Sequence, residues 1–544
     1  MKNYSFTIDL TIDKNRLQPL FSLLKSRIEI ILVIFLSIVS VVCFVIFYQN
    51  GLGLAYNDAR SHLDIGRRVV EGLKPGLAQI GSVWLPLPHL LMIPTIWNDF
   101  MWHSGLSGAL QSMISYVLIG YFIFLTLKEM QVGLLGRIFA VLVFALNVNI
   151  LYMQSIAMTE LLLLCTILLT SYEFMLWNKN EKILHLIKTA FWVMLATLIR
   201  YEGWFLLGSV TLLILVRMWK KKGYRVTEGV IILFLTLAAW GIFLWFSWNQ
   251  LIFKDALYFM FGPFSAHSQQ QQLQEAGVLV TKNNFLLSLK IYFYALIFNS
   301  TFYIFLLSGL GYLWIWIDKK LNFWTKLSTL NLLSPLIFNV LALFLGFSVL
   351  FIQGISGNTW FNVRYGLMML PSFAIFTGFL LDRLVKFRPL IIGLTIFVYF
   401  FIFTNLDAVT IDDARVGSSQ KNVFEVSGYL KNNAGDKKGF ILISAASHDA
   451  IIFSSGLPMK RFIHEGTGGY WESAITSPDR WARWIVMRTY DNNDLTFKAV
   501  NQVPRFFTMY NLVAKYPFAD VYELKEEFRK NLITEPVLSN KNKQ

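Results

Sequence analysis

Long uncharged apolar runs recur through most of the chain and constrain its fold more than any other feature. The first begins near Ile28, and comparable runs continue to about residue 405. Only 15% of the 544 residues are charged, whereas soluble globular chains contain about 25%. Continuous runs of this length predict transmembrane helices and not the short alternating strands of an outer-membrane barrel. We expect the first run to be retained as a span, because a long polar and basic segment precedes it.

Basic residues assign the loops to two sides of the membrane. The N-terminal tail, residues 1–27, is basic, so the positive-inside rule places it in the cytoplasm. From there the pattern predicts about eleven transmembrane helices with the C-terminus outside, and every strongly basic short loop then lies inside. The predicted spans are about 28–49, 106–127, 134–152, 160–177, a hairpin of two within 189–218, 229–249, one that ends at Asp318, 329–352, 365–381 and 389–405.

The net charge of +15 is explained by these cytoplasmic loops, so we predict no nucleic-acid partner. The two cysteines, Cys43 and Cys165, both lie in predicted spans. We therefore expect neither a disulfide nor a cysteine metal site.

Residues 407–544 have a different pattern, with short strands and helices in alternation. FILISAA (440–446) and WIVMRT (484–489) are typical of buried strands, and YNLVAKYPFADVYELK is typical of a hairpin. We predict a polytopic α-helical membrane domain over 28–406, with an outer loop at 50–105, followed by a small extracytoplasmic α/β domain over 407–544.

Unusual polar residues fall on the outer side of this topology. The outer loop opens with GLAYNDARSHLDIGRRVVEGL, in which Asp58 and His62 are one helical turn apart. Ionisable groups at membrane depth are costly and tend to be paired or functional. The other candidates on this side are His89, Glu160, Arg200, Tyr201, Glu202, Arg364 and Tyr365.

Each of these residues also has a plain structural explanation. Asp58 is a suitable N-cap for the helix that follows it, and His62 and His89 are suitable packing residues in the outer loop. Arg67 and Glu71 have the spacing of an ordinary surface ion pair. The residues that suit a helix end at the interface are Glu160, Arg200 and Arg364. Their shared side of the membrane is what favours a functional role.

Five segments around these residues resemble the integral-membrane glycosyltransferases of the GT-C superfamily, which include protein O-mannosyltransferases and the lipid A aminoarabinose transferase. The segments are AYNDARSHL, WLPLPHLL, MTELLLL, LIRYEGW and RYGLMMLP, and the similarity extends over about 28–405. Many relatives have two adjacent acidic residues after the first span, whereas this chain has Asn57 and Asp58. That departure weakens the case for a metal site built from paired carboxylates.

The resemblance implies transfer of a sugar from a polyprenyl-phosphate donor to a hydroxyl group of a lipid, polysaccharide or protein, with inversion, at the plasma (inner) membrane. Asp58 is then the expected general base, since the acceptor needs a carboxylate to take its proton. Arg200 and Arg364 are the expected phosphate ligands. The expected substrate-binding residues are His62, His89, Glu160, Tyr201, Glu202 and Tyr365, of which Glu160, Tyr201 and Glu202 are alternatively holders of the arginines. The sequence assigns no metal ligand and leaves open whether a divalent cation takes part.

Two other classes of function fit the same pattern of spans. A transporter or flippase of lipid-linked saccharides predicts polar residues near the bilayer midplane, and few occur in the later predicted spans. A non-catalytic scaffold of a cell-envelope assembly complex predicts that Asp58 is replaceable.

Overall fold

The structure is a computed structural model and describes residues 27–262, 265–275, 277–417 and 420–537. Within these ranges, seven helices are long and apolar enough to cross a membrane. They are Ile28–Gln49, Leu106–Glu129, Glu160–Asn180, Glu202–Lys222, Phe323–Leu345, Val363–Arg383 and Val385–Val416. The prediction of a polytopic α-helical membrane protein is confirmed. The predicted cytoplasmic tail lies outside the described residues, except for Arg27.

Two further segments are pairs of apolar helices that bend at a break. They are Tyr224–Ala238 with Trp240–Phe253, bent by 44°, and Phe285–Ser300 with Phe302–Ile317, bent by 109°. The sharper break lies at Thr301, whose φ of 79° cannot continue a right-handed helix. Its hydroxyl instead accepts a hydrogen bond from the amide of Ile304 and caps the next helix. The predicted span that ends at Asp318 is therefore two helices, not one straight span.

Two predicted spans are shorter than expected. Leu134–Ala145 has 12 residues and Ile183–Thr197 has 15, which is about 18 Å and 22 Å of helix against a hydrocarbon core of about 30 Å. The first ends before Asn147, whose side chain accepts a hydrogen bond from the amide of Ile150 and begins the helix Val148–Met153. Within the described residues the long or bent membrane helices number nine, and these short helices account for the rest of the predicted eleven.

The helices Glu160–Asn180 and Val363–Arg383 lie at the centre of the bundle, because most of their side chains are buried. Ile28–Gln49 exposes most of its apolar side chains, as expected for a helix that faces lipid. Close packing at the centre depends on small residues: a Cβ at Gly378 would lie 2.6 Å from the carbonyl oxygen of Gly136. The first residues of both central helices lie at the same end of the bundle, below the outer loop.

The outer loop folds into three short helices, Asn57–Val70, Leu87–Ile96 and Asp99–His103. Arg67 joins them, since its Nη1 donates to the carbonyl oxygens of Ile96 and Trp97 at 2.8 and 2.7 Å. Its remaining partners are the carboxylates of Glu71 and Asp99. The predicted ion pair of Arg67 with Glu71 is present, but its position at the surface is wrong, because the Arg67 side chain is only 8% exposed and serves as the central cation of the loop.

The C-terminal region, residues 420–537, contains a five-stranded sheet with the order β2-β1-β3-β5-β4. The strands are β1 (Phe440–Ile443), β2 (Phe462–Ile463), β3 (Ala482–Met487), β4 (Tyr510–Lys515) and β5 (Asp520–Leu524). β1 pairs in parallel with β2 and β3, and β5 pairs antiparallel with β3 and β4. The helices of this region are Gln420–Ala434, Ala445–Ser455, Gly469–Thr476, Pro478–Trp481, Leu495–Val500 and Phe506–Met509. The predicted small α/β fold, with its closing hairpin, is confirmed.

The segment between the helix Arg388–Asn405 and this sheet packs against the membrane domain. Thr410 is the second residue of the helix Val409–Gly417, and its amide and hydroxyl both donate to the side-chain oxygen of Asn149, at 3.1 and 2.9 Å. The carbonyl oxygen of Thr410 in turn lies 2.9 Å from the hydroxyl of Tyr56. Residues that follow the predicted domain boundary at 407 therefore reach the start of the outer loop.

Candidate functional site

Five charged side chains from four separate segments form one continuous chain of ion pairs. Arg364 donates from Nη2 to Asp58 at 2.6 Å and from Nε to Glu160 at 3.0 Å. Arg200 contacts the same oxygen of Glu160 at 3.4 Å and donates from Nε and Nη2 to Glu202 at 3.1 and 3.0 Å. We call this set the ion chain; its order is Asp58, Arg364, Glu160, Arg200, Glu202.

Helix ends position the three carboxylates. Glu160 and Glu202 are the first residues of the helices Glu160–Asn180 and Glu202–Lys222, and Asp58 is the second residue of Asn57–Val70. A carboxylate in the first turn is favoured by the partial positive charge of the helix N-terminus. The alternative that Asp58 caps its helix does not hold, because the helix begins at Asn57 and the cap position belongs to Tyr56.

Burial differs sharply along the ion chain. The side chain of Glu160 is 0% exposed and that of Arg364 is 8% exposed, whereas that of Asp58 is 42% exposed. Buried charges remain ionised only when they are paired, and Glu160 has two arginines and the amide of Thr159 as partners. The ion chain therefore has a dry centre and an open end at Asp58.

Arg200 remains a cation despite its burial. Burial acts to lower its pKa, but the carboxylates of Glu202 and Glu160 outweigh that effect and raise the pKa above its ordinary value. The ion chain as a whole has three carboxylates and two guanidinium groups, which leaves one excess negative charge at neutral pH.

Two tyrosine rings enclose the arginines. The ring centroid of Tyr365 lies 5.5 Å from the guanidinium carbons of both Arg200 and Arg364. The ring of Tyr56 lies 4.9 Å from the guanidinium carbon of Arg364. These are cation–π distances, so the rings hold the arginine planes as well as screening them. The structure thus brings Tyr365 to the site as predicted, and it adds Tyr56.

His62 and His89 form a buried pair beside the ion chain. Nδ1 of His62 lies 2.9 Å from Nε2 of His89, and the indole of Trp84 lies against His62 at a centroid distance of 4.2 Å, with the two rings tilted by 35°. Burial first, and then the charges of Arg200 and Arg364, lower the pKa of His62 to about 3, so its ring is neutral. His89 is 0% exposed, and it contacts His62 and stacks on Trp84 at a centroid distance of 6.3 Å.

Tyr201 faces away from the ion chain. Its hydroxyl donates to the carbonyl oxygen of Val83 at 3.3 Å, and its ring stacks on Phe259 at 6.0 Å. The expectation that Tyr201 holds the arginines is wrong, because its neighbours Arg200 and Glu202 leave the same turn in other directions. A contact between Tyr201 and a sugar stays a prediction.

Sequence reasoning missed Asp413, which it assigned to the C-terminal domain. The Asp413 side chain is buried, and one of its oxygens lies 3.0 Å from the hydroxyl of Tyr56. Asp413 thereby fixes the ring that covers Arg364. The signal was present in the acidic pair of IDDAR, directly after the last apolar run.

Within the described ranges, no group of three or more His, Cys, Asp or Glu side chains is arranged to hold a metal ion. The carboxylates of the ion chain are separated by arginines.

No protein-family model matches the chain, and no curated protein gives a significant sequence match. Solved structures do match. ArnT from Cupriavidus metallidurans, bound to undecaprenyl phosphate, is similar with a TM-score of 0.55 and 11% identity, over 90% of this chain and 98% of ArnT. ArnT is a lipid A aminoarabinose transferase of the GT-C superfamily. The chain has the GT-C fold.

Two other structures match over similar lengths. The apo form of the same ArnT gives a TM-score of 0.51 with 11% identity and the same coverage of both chains. The other is the archaeal oligosaccharyltransferase AglB from Archaeoglobus fulgidus, in complex with an inhibitory peptide and a dolichol-phosphate. Its TM-score is 0.47 with 11% identity, over 93% of this chain and 75% of AglB. The ion chain described above lies at one end of the GT-C helical bundle, below the outer loop.

Proposed function

We propose that the chain is a membrane glycosyltransferase that moves a sugar from a polyprenyl-phosphate donor to a hydroxyl acceptor, with Asp58 as general base. One observation carries the proposal: the ion chain ends in a half-exposed carboxylate that pairs with Arg364, and Arg364 shares Glu160 with a second arginine, Arg200. A lipid-phosphate donor needs a cationic group for its phosphate, and the acceptor needs a base within hydrogen-bond reach. Both requirements are met within one cluster.

The reaction is a single displacement. The acceptor oxygen forms a bond to the anomeric carbon while the bond from that carbon to the phosphate oxygen breaks. Asp58 takes the proton of the acceptor hydroxyl, and polyprenyl phosphate leaves with the electron pair. Attack from the face opposite the leaving group inverts the anomeric centre.

The arginines are assigned to the phosphate. Arg364 donates from Nε to Glu160 and from Nη2 to Asp58. Because a guanidinium group has five N–H donors, others remain for a phosphate. Glu160 and Glu202 orient the guanidinium planes before the donor arrives, which reduces the entropy lost on binding. His62, a neutral ring at the same end, is assigned to a sugar hydroxyl, together with Tyr365.

The site is assigned to the outer face of the membrane. The helix Glu202–Lys222 begins at the ion chain and ends in the lysine-rich segment 220–222. The helix Glu160–Asn180 also begins there, and it ends next to Glu181, which pairs with Lys221. Because short basic loops remain in the cytoplasm, the ion chain then faces outside, with the C-terminal region on the same side. A soluble cytosolic nucleotide sugar cannot reach that side, whereas a lipid-linked donor can.

The likeness to ArnT bound to undecaprenyl phosphate supports a lipid-phosphate donor. The acceptor class in this proposal is a hydroxyl group on a lipid, a polysaccharide or a protein of the cell envelope.

A donor panel tests the proposal. The purified chain is incubated with polyprenyl-phosphate sugars and membrane extract as the acceptor source, and released polyprenyl phosphate is measured. We expect release from one donor and equal release by Asp436→Asn, a control at an exposed position of the C-terminal region. Absence of release from every donor would instead favour a flippase or a scaffold, and movement of a labelled lipid-linked saccharide across proteoliposomes separates those two.

A further inference from the structure

A groove lies at the end of the bundle opposite the ion chain. It has a volume of about 390 Å³, near the lower end of the range for small-molecule sites. Its walls come from the end of Glu160–Asn180, the start of Ile183–Thr197, the end of Glu202–Lys222 and the start of Tyr224–Ala238. The side chains that form its floor are Trp177, Leu186 and Met218, all buried and apolar.

The groove is separate from the candidate active site. The helix Glu160–Asn180 has 21 residues, so its two ends are about 30 Å apart at 1.5 Å per residue. Glu160 belongs to the ion chain at one end, and Trp177 lines the groove near the other. What binds in the groove therefore does not compete with a ligand at the ion chain.

The mouth of the groove opens towards lipid. Ile183 and Val226 line it and are 61% and 46% exposed, and the exposed apolar residues beside them include Leu184. Trp219 and Tyr224 are also exposed at this level, and such rings are typical of the interface between hydrocarbon and headgroups. The wall of the groove has an open space at Gly229, where an added Cβ would meet no atom within 4 Å.

Cations surround the single carboxylate at the groove. Glu181 lines the groove and pairs with Arg217, Lys221 and Lys222. The hydrogen bond that Lys221 donates to Glu181 lowers the pKa of this carboxylate, and the one from Arg217 adds to the effect. Burial acts in the opposite direction but is outweighed, so the pKa of Glu181 is about 2 and the side chain is ionised. Three cations and one carboxylate leave an excess of two positive charges at the edge of an apolar groove.

We propose that this groove binds one anionic glycerophospholipid, with an acyl chain between the helices Ile183–Thr197 and Tyr224–Ala238 and its phosphate at Lys221 and Lys222. An apolar floor suits a hydrocarbon chain, and the excess positive charge suits an anionic headgroup. A zwitterionic lipid would pack on the apolar floor but would not neutralise the excess positive charge. A soluble anion would neutralise the charge but would leave the apolar floor uncovered. The site holds a lipid at the cytoplasmic side of the proposed topology.

Lipid binding by the full-length chain tests the headgroup. Delipidated protein in detergent is titrated with phosphatidylglycerol or with phosphatidylcholine of the same acyl chains, and bound lipid is counted by native mass spectrometry. We expect one phosphatidylglycerol per chain, bound at least tenfold more tightly than phosphatidylcholine, and weaker binding as salt rises. The double variant Lys221→Gln/Lys222→Gln should lose about tenfold or more in affinity, because each lysine near a lipid surface contributes to the attraction.

Matched variants separate this site from general charge and from damage to the fold. Lys319→Gln/Lys320→Gln removes the same charge from another exposed pair and should change the affinity less than about twofold. Gly229→Leu fills the open wall without changing charge and should lower phosphatidylglycerol binding at least about fivefold, whereas Gly208→Leu, at a position that is also open and outside the groove, should not. Both glycines lie within helices, so leucine is compatible with the backbone.

Three results would overturn the proposal. They are equal binding of the two lipids, equal losses in the two double-lysine variants, and wild-type binding by Gly229→Leu. If the Lys221→Gln/Lys222→Gln protein fails to fold, Gly229→Leu and the comparison of the two lipids on wild-type protein still decide the question.

Discussion

Nη2 of Arg364 lies 2.6 Å from Oδ2 of Asp58, although 306 residues separate them in the chain. The contact links the most exposed carboxylate of the ion chain to its buried centre, since the same guanidinium also binds Glu160. The contact thereby fixes the direction of the Asp58 side chain while part of its surface remains open. A general base needs both properties, an available lone pair and a defined position.

Glu160→Gln tests the centre of the ion chain. The variant removes the charge that two arginines share, and a buried pair broken on one side costs about 3–5 kcal/mol. We expect a clear fall in the melting temperature in detergent and loss of polyprenyl-phosphate release. Glu173→Gln is the control, because Glu173 pairs with His185 and Lys188 at the far end of the same helix. That control should lower stability without loss of transfer, and equal transfer by both variants would contradict the role of Glu160.

Arg364→Lys tests whether the guanidinium fork matters beyond its charge. A lysine is a single cationic centre and cannot contact Asp58 and Glu160 from two fixed nitrogens. One lost charged hydrogen bond is worth about 1.5–3 kcal/mol, so kcat/KM for donor transfer should fall about 10- to 100-fold. Steady-state kinetics with varied donor give the value. Transfer at the wild-type rate would show that charge alone is sufficient.

Tyr201→Phe tests the position of the residue that faces away from the ion chain. The variant loses the hydrogen bond to the carbonyl oxygen of Val83, a loss of about 1 kcal/mol in stability. Transfer should stay within about twofold of wild type. Tyr365 provides the comparison, because its ring contacts both arginines, and Tyr365→Leu should reduce transfer at least about tenfold. A large loss of transfer in Tyr201→Phe would place its hydroxyl at the substrate.

His464 predicts a pH effect on stability in the C-terminal region. Burial first, and then the charge of Arg68, lower the pKa of His464 to about 3, below its ordinary value of 6.5. Between these values the unfolded chain binds a proton that the folded chain does not, so the free energy of unfolding falls as the pH drops, by up to about 1.4 kcal/mol per pH unit.

The variant His464→Asn isolates this effect, because asparagine keeps an acceptor for the amide of Gly466. The stability advantage of wild type over the variant, measured by thermal unfolding, should shrink from pH 7 to pH 4.5. An advantage that is the same at both pH values would mean that His464 takes up its proton equally in the folded and unfolded states.

The sequence predicted which charged residues share one end of the bundle better than it predicted the course of the helices. Apolar runs and basic loops assign each polar residue to one end of the bundle, and that end is where the ion chain forms. A pattern of hydrophobicity cannot detect the break at Thr301, since threonine is no strong helix breaker and the break depends on its φ of 79°.

Contacts between segments that are far apart in the chain could not be predicted from the sequence. Tyr56 and Asp413 meet only because the helix Val409–Gly417 packs back onto the membrane domain. The local sequence around either residue does not predict this contact. Residues next to each other in the chain were also assigned one role when their directions differ, as at Tyr201 and Glu202. The turn geometry, and not the residue types, separates these two side chains.

The most direct test of the central claim compares wild type with Asp58→Asn. Asparagine keeps the size of the side chain and its oxygen for Arg364 but cannot take a proton at neutral pH. General-base catalysis contributes about 10²–10⁴-fold, so polyprenyl-phosphate release should fall by that factor while the donor still binds. Release by Asp58→Asn at the wild-type rate would contradict the assignment of Asp58 as the base.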